Sequence, residues 1–376
     1  MKILITGGAG FIGSRLALKL VGKGHEVTVL DNLLPQVHGD IPEESGLYKA
    51  IVENTRFIRA DVTDRAAMED AIAGQEAIVH LAAETGTGQS MYQIQRYSDV
   101  NIGGTSLLLD ILANTDHSVK RVVVASSRSI YGEGRYRTPD GAYVYPSHRS
   151  EAAMAGGDFE VTHPGVDGPL ELVATDEESK IHPSSVYGIT KQVQEQLVMT
   201  VCPSIGIEGV AFRYQNVFGP GQSLSNPYTG ILSIFSNLMM QGKPINIFED
   251  GEESRDFVFV DDVVDATILG VEHPQAANEV FNVGTGVPVS VMTVAQTLAR
   301  LLDADVPISI SGNFRLGDIR HNYADMTRIK EKLGFEPAYD FERGIAELTE
   351  WARQSGPQKS AYETSLEEMR AKGLLK

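Results

Sequence analysis

Lys2-Ile3-Leu4-Ile5-Thr6 runs straight into Gly7-Gly8-Ala9-Gly10-Phe11-Ile12-Gly13. A short apolar run bounded by glycine predicts a buried strand. An amphipathic helix follows to about Val21, with Gly22 as its stop. Glu26–Leu30 predicts a second strand, closed by Asp31-Asn32. Strand, glycine turn, helix, strand and acid together form a dinucleotide-binding unit. The glycines at 7, 10 and 13 let the backbone approach a pyrophosphate seated on the helix N-terminus. Asp31 is suited to a ribose diol and repels a 2′-phosphate, which favours NAD over NADP.

The alternation continues outward from this unit. Arg56–Ala60 predicts a strand ending at Asp61-Val62, and 64–73 a helix. Glu76–His80 predicts a strand ending in Leu81-Ala82-Ala83, with His80 in the core. A long helix is expected over about 89–113, interrupted at Gly103-Gly104. Arg121–Ser126 and Gly206–Arg213 are the fifth and sixth strands. Strands alternating with helices predict an α/β fold built on a Rossmann-type, doubly wound parallel sheet. Ligands bind such sheets at the C-terminal ends of the strands. Gly7, Asp31, Asp61, Ala83 and Ser127 all fall there.

Chemistry concentrates in Ser184-Ser185-Val186-Tyr187-Gly188-Ile189-Thr190-Lys191, which opens a predicted helix. Tyr187 and Lys191 are four apart and share a face, about 6 Å apart along the axis. A free phenol titrates near ~10, and a nearby positive charge lowers that value. Bringing it to about 7 takes roughly 4 kcal/mol of differential stabilisation. The pair therefore predicts a general base that works at neutral pH. Ser127, in Ser126-Ser127-Arg128-Ser129-Ile130-Tyr131-Gly132, offers a hydroxyl to a reacting oxygen beside the cofactor.

The chain has 376 residues, 42% hydrophobic and 22% charged, which predicts a packed core rather than disorder. Its formal charge of −18 argues against nucleic acid and anionic membrane as partners. Cys202 is the single cysteine, so neither a disulfide framework nor a cysteine-based metal site is expected. With a strand at the very start and no apolar run of spanning length, a cytoplasmic protein is expected.

The expected organisation is a NAD-binding domain over 1–213, a smaller α/β substrate domain over 214–355 with possible return of strands to the first, and a polar tail over 356–376. The tail either docks as a short helix or frays. Residues 133–183 break the pattern with five prolines, at 139, 146, 164, 169 and 183. An irregular insertion is expected there, with a hairpin around 159–174, acting either as a lid or as a simple excursion. Arg255, Arg315 and Arg320 lie far apart in an acidic sequence and suggest a diphosphate clamp.

Taken in order, these motifs resemble the extended short-chain dehydrogenase/reductase superfamily. Within it the chain is similar to the nucleotide-sugar epimerases and dehydratases, over residues 1 to 355. The resemblance implies NAD at Gly7, Gly10, Phe11, Ile12, Gly13, Asp31, Asn32, Asp61, Val62, Leu81, Ala82, Ala83, Asn101, Tyr187, Lys191 and Tyr214. It implies Ser127, Tyr187 and Lys191 as catalytic residues. It implies a nucleotide sugar at Gln89, Ser127, Ser129, Tyr187, Gln215, Asn216, Arg255, Arg315, Asp318 and Arg320. Related dehydratases carry an Asp-Glu pair where this chain has Arg128 and Ser129, which favours C4 epimerisation over 4,6-dehydration. Some relatives carry a cysteine-rich segment within 133–183; this chain has no cysteine there, and no metal is expected. The strings 33–39, 88–92, 129–134 and 222–230, around Gln36, Met91, Tyr131 and Asn226, resemble dTDP-L-rhamnose 4-epimerases. A UDP-hexose or UDP-hexuronate 4-epimerase remains the alternative. A dehydratase or a non-catalytic NAD(P) sensor is disfavoured, since sensors of this fold lose the Tyr and Lys. Relatives commonly dimerise through two long helices, and a homodimer is expected here.

Overall fold

The computed structural model describes residues 1–228 and 230–376; Thr229, within the 222–230 string, lies outside the described residues. Seven parallel strands form the central sheet: β1 (Lys2–Thr6), β2 (Glu26–Asp31), β3 (Arg56–Arg59), β4 (Ala77–His80), β5 (Arg121–Ser127), β6 (Glu208–Tyr214) and β7 (Glu279–Val283). Their order is 3-2-1-4-5-6-7, so the direction of winding reverses between β1 and β4. Thr6 is in register with both Leu30 and His80, and Ser127 with Tyr214. The strand ends thereby align along one edge, with a crevice at the switch point.

Both faces of the sheet are covered. On one, α1 (Phe11–Gly22) buries Leu16, Ala17 and Leu20 in a core shared with Val29, Val79 and Phe212. On the other, α2 (Gly104–Asn114) and α3 (Val186–Ser204) bury Leu108, Leu112, Val198 and Cys202 against Val122 and Val124. The helix expected over 89–113 changes at Gly103-Gly104, as its glycines suggested, and is broken further upstream as well. Short turns at Thr87–Ser90 and Ile94–Tyr97 lead through a wider π-type turn at Ser98–Gly103 into α2. Gly104 lets α2 pack closely just beyond the end of β3: a Cβ there would lie 2.6 Å from Val62 Cγ2.

A second sheet holds Asn216–Phe218, Ser254–Phe259, Pro288–Ser290 and His321–Asn322. Its core gathers Phe218, Phe257 and Phe259 with α4 (Ile231–Met240), α6 (Val291–Leu302) and α7 (Phe341–Ser355). A single cut at 213/214 does not divide the chain. α5 (Val260–Glu272) packs back on α1, where Arg15 reaches Asp261 at 2.7 Å and Lys23 reaches Glu272 at 3.1 Å. β7 then completes the large sheet beside β6. The tail forms α8 (Tyr362–Ala371) and is anchored by Leu316 N–H donating to Leu374 O at 2.9 Å.

The 133–183 insertion differs from expectation. Its small sheet pairs Tyr136–Arg137 with both Tyr143–Val144 and Glu171–Leu172. No hairpin spans 159–174, because Pro164 and Pro169 remove backbone donors such a ladder needs. A helix at Glu151–Ala155, capped by Ser150, fills part of the loop instead.

Beneath the site, Arg213 and Glu195 form a buried bidentate pair at 2.6 and 3.0 Å. Ser126 Oγ donates to Glu195 at 2.5 Å, and Arg213 donates to the Tyr131 hydroxyl at 2.8 Å. Tyr131 in turn donates to Asn282 at 2.8 Å, so β5, β6, β7 and α3 share one network. Removing one member leaves a buried charge unpaired. Glu195→Ala is expected to lower the unfolding free energy by about 3–5 kcal/mol, measured by urea denaturation. A loss below about 1 kcal/mol would mean the pair contributes no more than a surface one.

Candidate active site

The glycine turn is forced by contact. Gly7 has φ +69°, and a Cβ there would lie 2.7 Å from Ala82 N. A Cβ on Gly13 would lie 2.4 Å from Gly7 O, so only glycine lets α1 start this close to β1. Asp31 closes the same turn. Its carboxylate accepts from Ala9 N–H at 3.0 Å and Leu33 N–H at 2.8 Å. Burial raises its pKa, while those two amides and nearby His38 act in opposition. Burial also raises Asp61, but the Thr63 amide and the Asn32 side chain outweigh it and leave Asp61 below the usual range. Asn32 donates to Asp61 at 2.9 Å, joining the ends of β2 and β3.

Ser185 caps α3 by accepting from Gly188 N–H at 3.1 Å, which puts Tyr187 in the first turn. Ser90 Oγ accepts from Tyr187 N–H at 3.0 Å, so the 86–90 segment packs directly on this turn. A Cβ on Gly188 would lie 2.7 Å from Ser129 O, which brings the Ser127 loop equally close. Ser129 donates to Ser127 Oγ at 2.9 Å from its hydroxyl and 3.1 Å from its amide. Burial raises the Tyr187 phenol; the Ser127 hydroxyl and then the Arg128 guanidinium pull it down.

Lys191 is arranged differently from expectation. Its ammonium donates to Gln194 Oε1 at 2.8 Å, and Gln194 donates onward to Thr105 at 2.8 Å. Burial lowers Lys191 to about 7, against the pull of Glu195. The cation acting on Tyr187 in this arrangement is Arg128. Its Nε donates to Asn216 at 3.1 Å, and among the described residues no carboxylate pairs with it. Burial lowers Arg128 to about 9, reinforced by neighbouring Arg255 and opposed by Asp318. Among the described residues Arg255 bonds only carbonyls, of Ser254, Ile319 and Arg320. Arg315 is held by Asp318 at 2.7–2.8 Å and lies over the Phe248 ring.

One cavity of about 590 Å³ joins these parts, within the range of small-molecule sites. It is lined by the glycine turn, Phe11, Ile12, Asp31, Asn32, Asp61, Val62 and 81–83; by Ser127, Ser129, Tyr187, Lys191 and Tyr214; and by Gln215, Asn216, Arg255, Arg315 and Asp318. Gln215 is buried with both amide atoms lacking a partner among the described residues, so the cavity is where its hydrogen bonds are met.

Three sequence expectations are corrected. Arg320 does not line the cavity; Glu160, Glu249 and Asp250 surround its guanidinium and saturate it. Gln89 turns away to Gln36 and the Tyr97 hydroxyl. Asn101 is buried behind the wall, donating to Glu84 O and Thr190 and accepting from Glu84 N–H. In each case a polar side chain is satisfied by the fold itself.

Other lining residues escaped the sequence reading. Arg128 was noted only as the absence of an acid. Glu253 faces the cavity with Oε2 unpartnered, and burial pushes it up to about 7 despite Arg255. Tyr228, Tyr362 and Met369 also line it, and the last two belong to the tail. The one available signal for them was spacing: Tyr362 and Met369 are seven apart, on one helical face.

The family described as "NAD dependent epimerase/dehydratase family" matches residues 3–151 and 163–284. A dTDP-L-rhamnose 4-epimerase of Burkholderia thailandensis is 37% identical over 96% of this chain and 97% of its own. The structure of a UDP-glucose 4-epimerase from Thermotoga maritima with UDP-glucose is 31% identical, with a TM-score of 0.76, over 94% of this chain and 99% of its own. MoeE5, solved with UDP-glucuronic acid and NAD, is 28% identical, with a TM-score of 0.73, over 94% and 100%.

Proposed function

The chain belongs to the NAD dependent epimerase/dehydratase family, and on that premise we propose that it inverts C4 of a nucleotide-diphosphate sugar. Within that class we propose dTDP-L-rhamnose and dTDP-6-deoxy-L-talose as the interconverted pair, as the 37% identical relative suggests. The observation that carries the reading is continuity: the glycine turn, the Ser127–Tyr187 pair and three arginines border a single cavity.

Bound NAD supplies the hydride acceptor and donor at C4. The glycine turn fits that cofactor, because any side chain at 7 or 13 would fill the space of the close approach. Tyr187 takes the C4 hydroxyl proton as that carbon is oxidised and returns it after the 4-keto sugar has turned. Ser127 orients the same oxygen. Lys191 holds the nicotinamide ribose, and Gln215 gives its unpartnered amide to the ligand. Arg128, Arg255 and Arg315 hold the diphosphate, so the sugar turns about a fixed linkage. Arg128 and Ser129 offer no carboxylate for a C5 proton, which separates this reading from 4,6-dehydration.

A second reading, a UDP-hexose or UDP-hexuronate 4-epimerase, is favoured by the likeness to the structure that carries UDP-glucose. Substrate choice separates the two. We further propose a cytoplasmic homodimer; Ile189 on α3 is exposed, and no helix among the described residues is long and apolar enough to cross a membrane. Sedimentation at micromolar concentration should give twice the chain mass of 40.8 kDa. A monomer would remove the dimer.

The reaction makes an isotopic demand. Substrate deuterated at C4 should retain the label at C4 in the product, and D₂O should put no deuterium at C3 or C5. NMR reads both. Label from solvent at C5 would sink the hydride scheme, and turnover of UDP-hexoses alone would leave the mechanism and overturn the dTDP assignment. Tyr187→Phe should bind NAD yet lose on the order of 10²–10⁴ in kcat.

Arg128 makes a demand on pH. Burial raises the Tyr187 phenol, and a cation beside it favours the ionised form. Removing that cation leaves the phenol pKa higher, so activity should set in at higher pH. Arg128→Met should move the acid limb of the kcat/KM profile upward by about one unit, corresponding to ~1.4 kcal/mol. An unmoved limb would mean Arg128 does not act on the base.

A further inference from the structure

The function proposed above makes no use of the last fifteen residues, yet they form part of the cavity wall. α8 buries Ser365 and Met369 and presents Tyr362 and Met369 to the cavity. These two are seven residues apart, two turns on the same face, and so about 10 Å apart along the axis. Each marks a different part of the cavity. Tyr362 packs against the core that contains α4, close enough to Arg315 for that guanidinium to lower its phenol against the effect of burial. Met369 packs on Gly88, where its Sδ would lie 3.0 Å from an added Cβ. Gly88 belongs to the segment whose Ser90 bonds the Tyr187 amide. One helix thus runs from the arginine end of the cavity to the base.

Three contacts hold it there. Glu368 accepts from the Tyr92 hydroxyl at 3.1 Å and the Tyr228 hydroxyl at 3.3 Å, and those two hydroxyls meet at 2.5 Å. Lys372 stands 5.0 Å from the Tyr92 ring centre. Residues 374–376 pair with 314–316 through backbone bonds of 2.9–3.2 Å. Tyr92 follows β4 and Tyr228 precedes α4, so Glu368 joins the two sides of the cavity with the tail.

We infer that α8 is a specificity-determining wall of the substrate site. Tyr362 contacts the nucleoside diphosphate, Met369 gives the sugar beside Tyr187 an apolar surface, and Glu368 is the positioning residue that seats both. The inference rests on the nucleotide-sugar reading and deepens it. The Met369 thioether at this end suits a sugar bearing a methyl group, since it has no donor for a carboxylate and only a weak acceptor for an extra hydroxyl.

The test uses the full-length, NAD-loaded protein, with free dTDP and dTDP-L-rhamnose as probes. Tyr362→Ala should weaken free dTDP about tenfold in calorimetry, the effect of losing much of one buried aromatic contact. Met369→Ala should leave dTDP affinity within about twofold, yet raise the KM for the dTDP-sugar about tenfold. Glu368→Ala should raise that KM similarly, and Glu368→Gln, which can still accept from both tyrosines, should restore it. Deleting residues 357–376 risks misfolding, so the point variants decide, each checked for unchanged melting temperature and NAD binding. If every folded variant keeps wild-type affinity for both probes, the tail is a structural prop and the inference fails. If the wild type binds neither dTDP nor UDP and their sugars, the functional reading has failed instead. Equal loss of dTDP affinity in the Tyr362 and Met369 variants would overturn the division of the helix into two ends.

Discussion

The Arg213–Glu195 pair is the interaction on which the site's geometry depends. α3 carries Tyr187 and Lys191, β5 ends in Ser127, and the apolar contacts between them, Val198 and Cys202 with Val122 and Val124, lie away from those ends. A buried guanidinium bidentate to a buried carboxylate has one satisfactory geometry. Ser126 and Tyr131 close the remaining valences on either side of Ser127, so the hydroxyl and the phenol inherit their separation from a network one layer below. The cost of desolvating two charges is high, and the return is a fixed position for the groups above them.

The charge distribution has the same logic at larger scale. The chain is strongly acidic, and most of its arginines are matched by carboxylates. Arg320 alone engages three. Arg128 and Arg255 stand apart from that pattern: their hydrogen bonds go to the Asn216 amide and to backbone carbonyls, with no ion pair to a carboxylate among the described residues. Two mutually repelling cations in a low-dielectric cleft are tolerated where a dianion completes them. The negative remainder of the surface also discourages other polyanions from lodging there.

Much of this was legible in the sequence where the signal is local. β1 through β6 and the glycine turn follow from short-range pattern, as does the Tyr187 helix with its Ser185 cap. What was hidden depends on distant partners. β7 has the same alternation of Val280, Phe281 and Val283 in either sheet; only pairing with β6, some seventy residues earlier in sequence, assigns it. Arg320 and Asp318 look equivalent as neighbours of a motif, yet Arg320 meets carboxylates from 160, 249 and 250 and is withdrawn from the cavity. Asn101 and Gln89 fail for the same reason. The tail misleads by composition: eleven polar residues of 356–376 surround Tyr362 and Met369, and an average over the segment conceals them.

The chain's path has a consequence for the order in which the fold can be completed. It leaves the large sheet at Asn216, returns at Val260 where strand passes directly into α5, leaves again between Val283 and Pro288, and comes back at Thr327–Leu333, whose Ile329 and Leu333 pack in the core beside Phe281 before α7 joins the second core. Each core is thus assembled from segments that alternate along the sequence, and no one stretch holds either half of the cleft. Until residues 279–283 have been made, the outer edge of β6 has no strand beside it. A growing chain therefore carries an open sheet edge from the completion of β6 to that of β7, and the two walls of the cleft are finished only together.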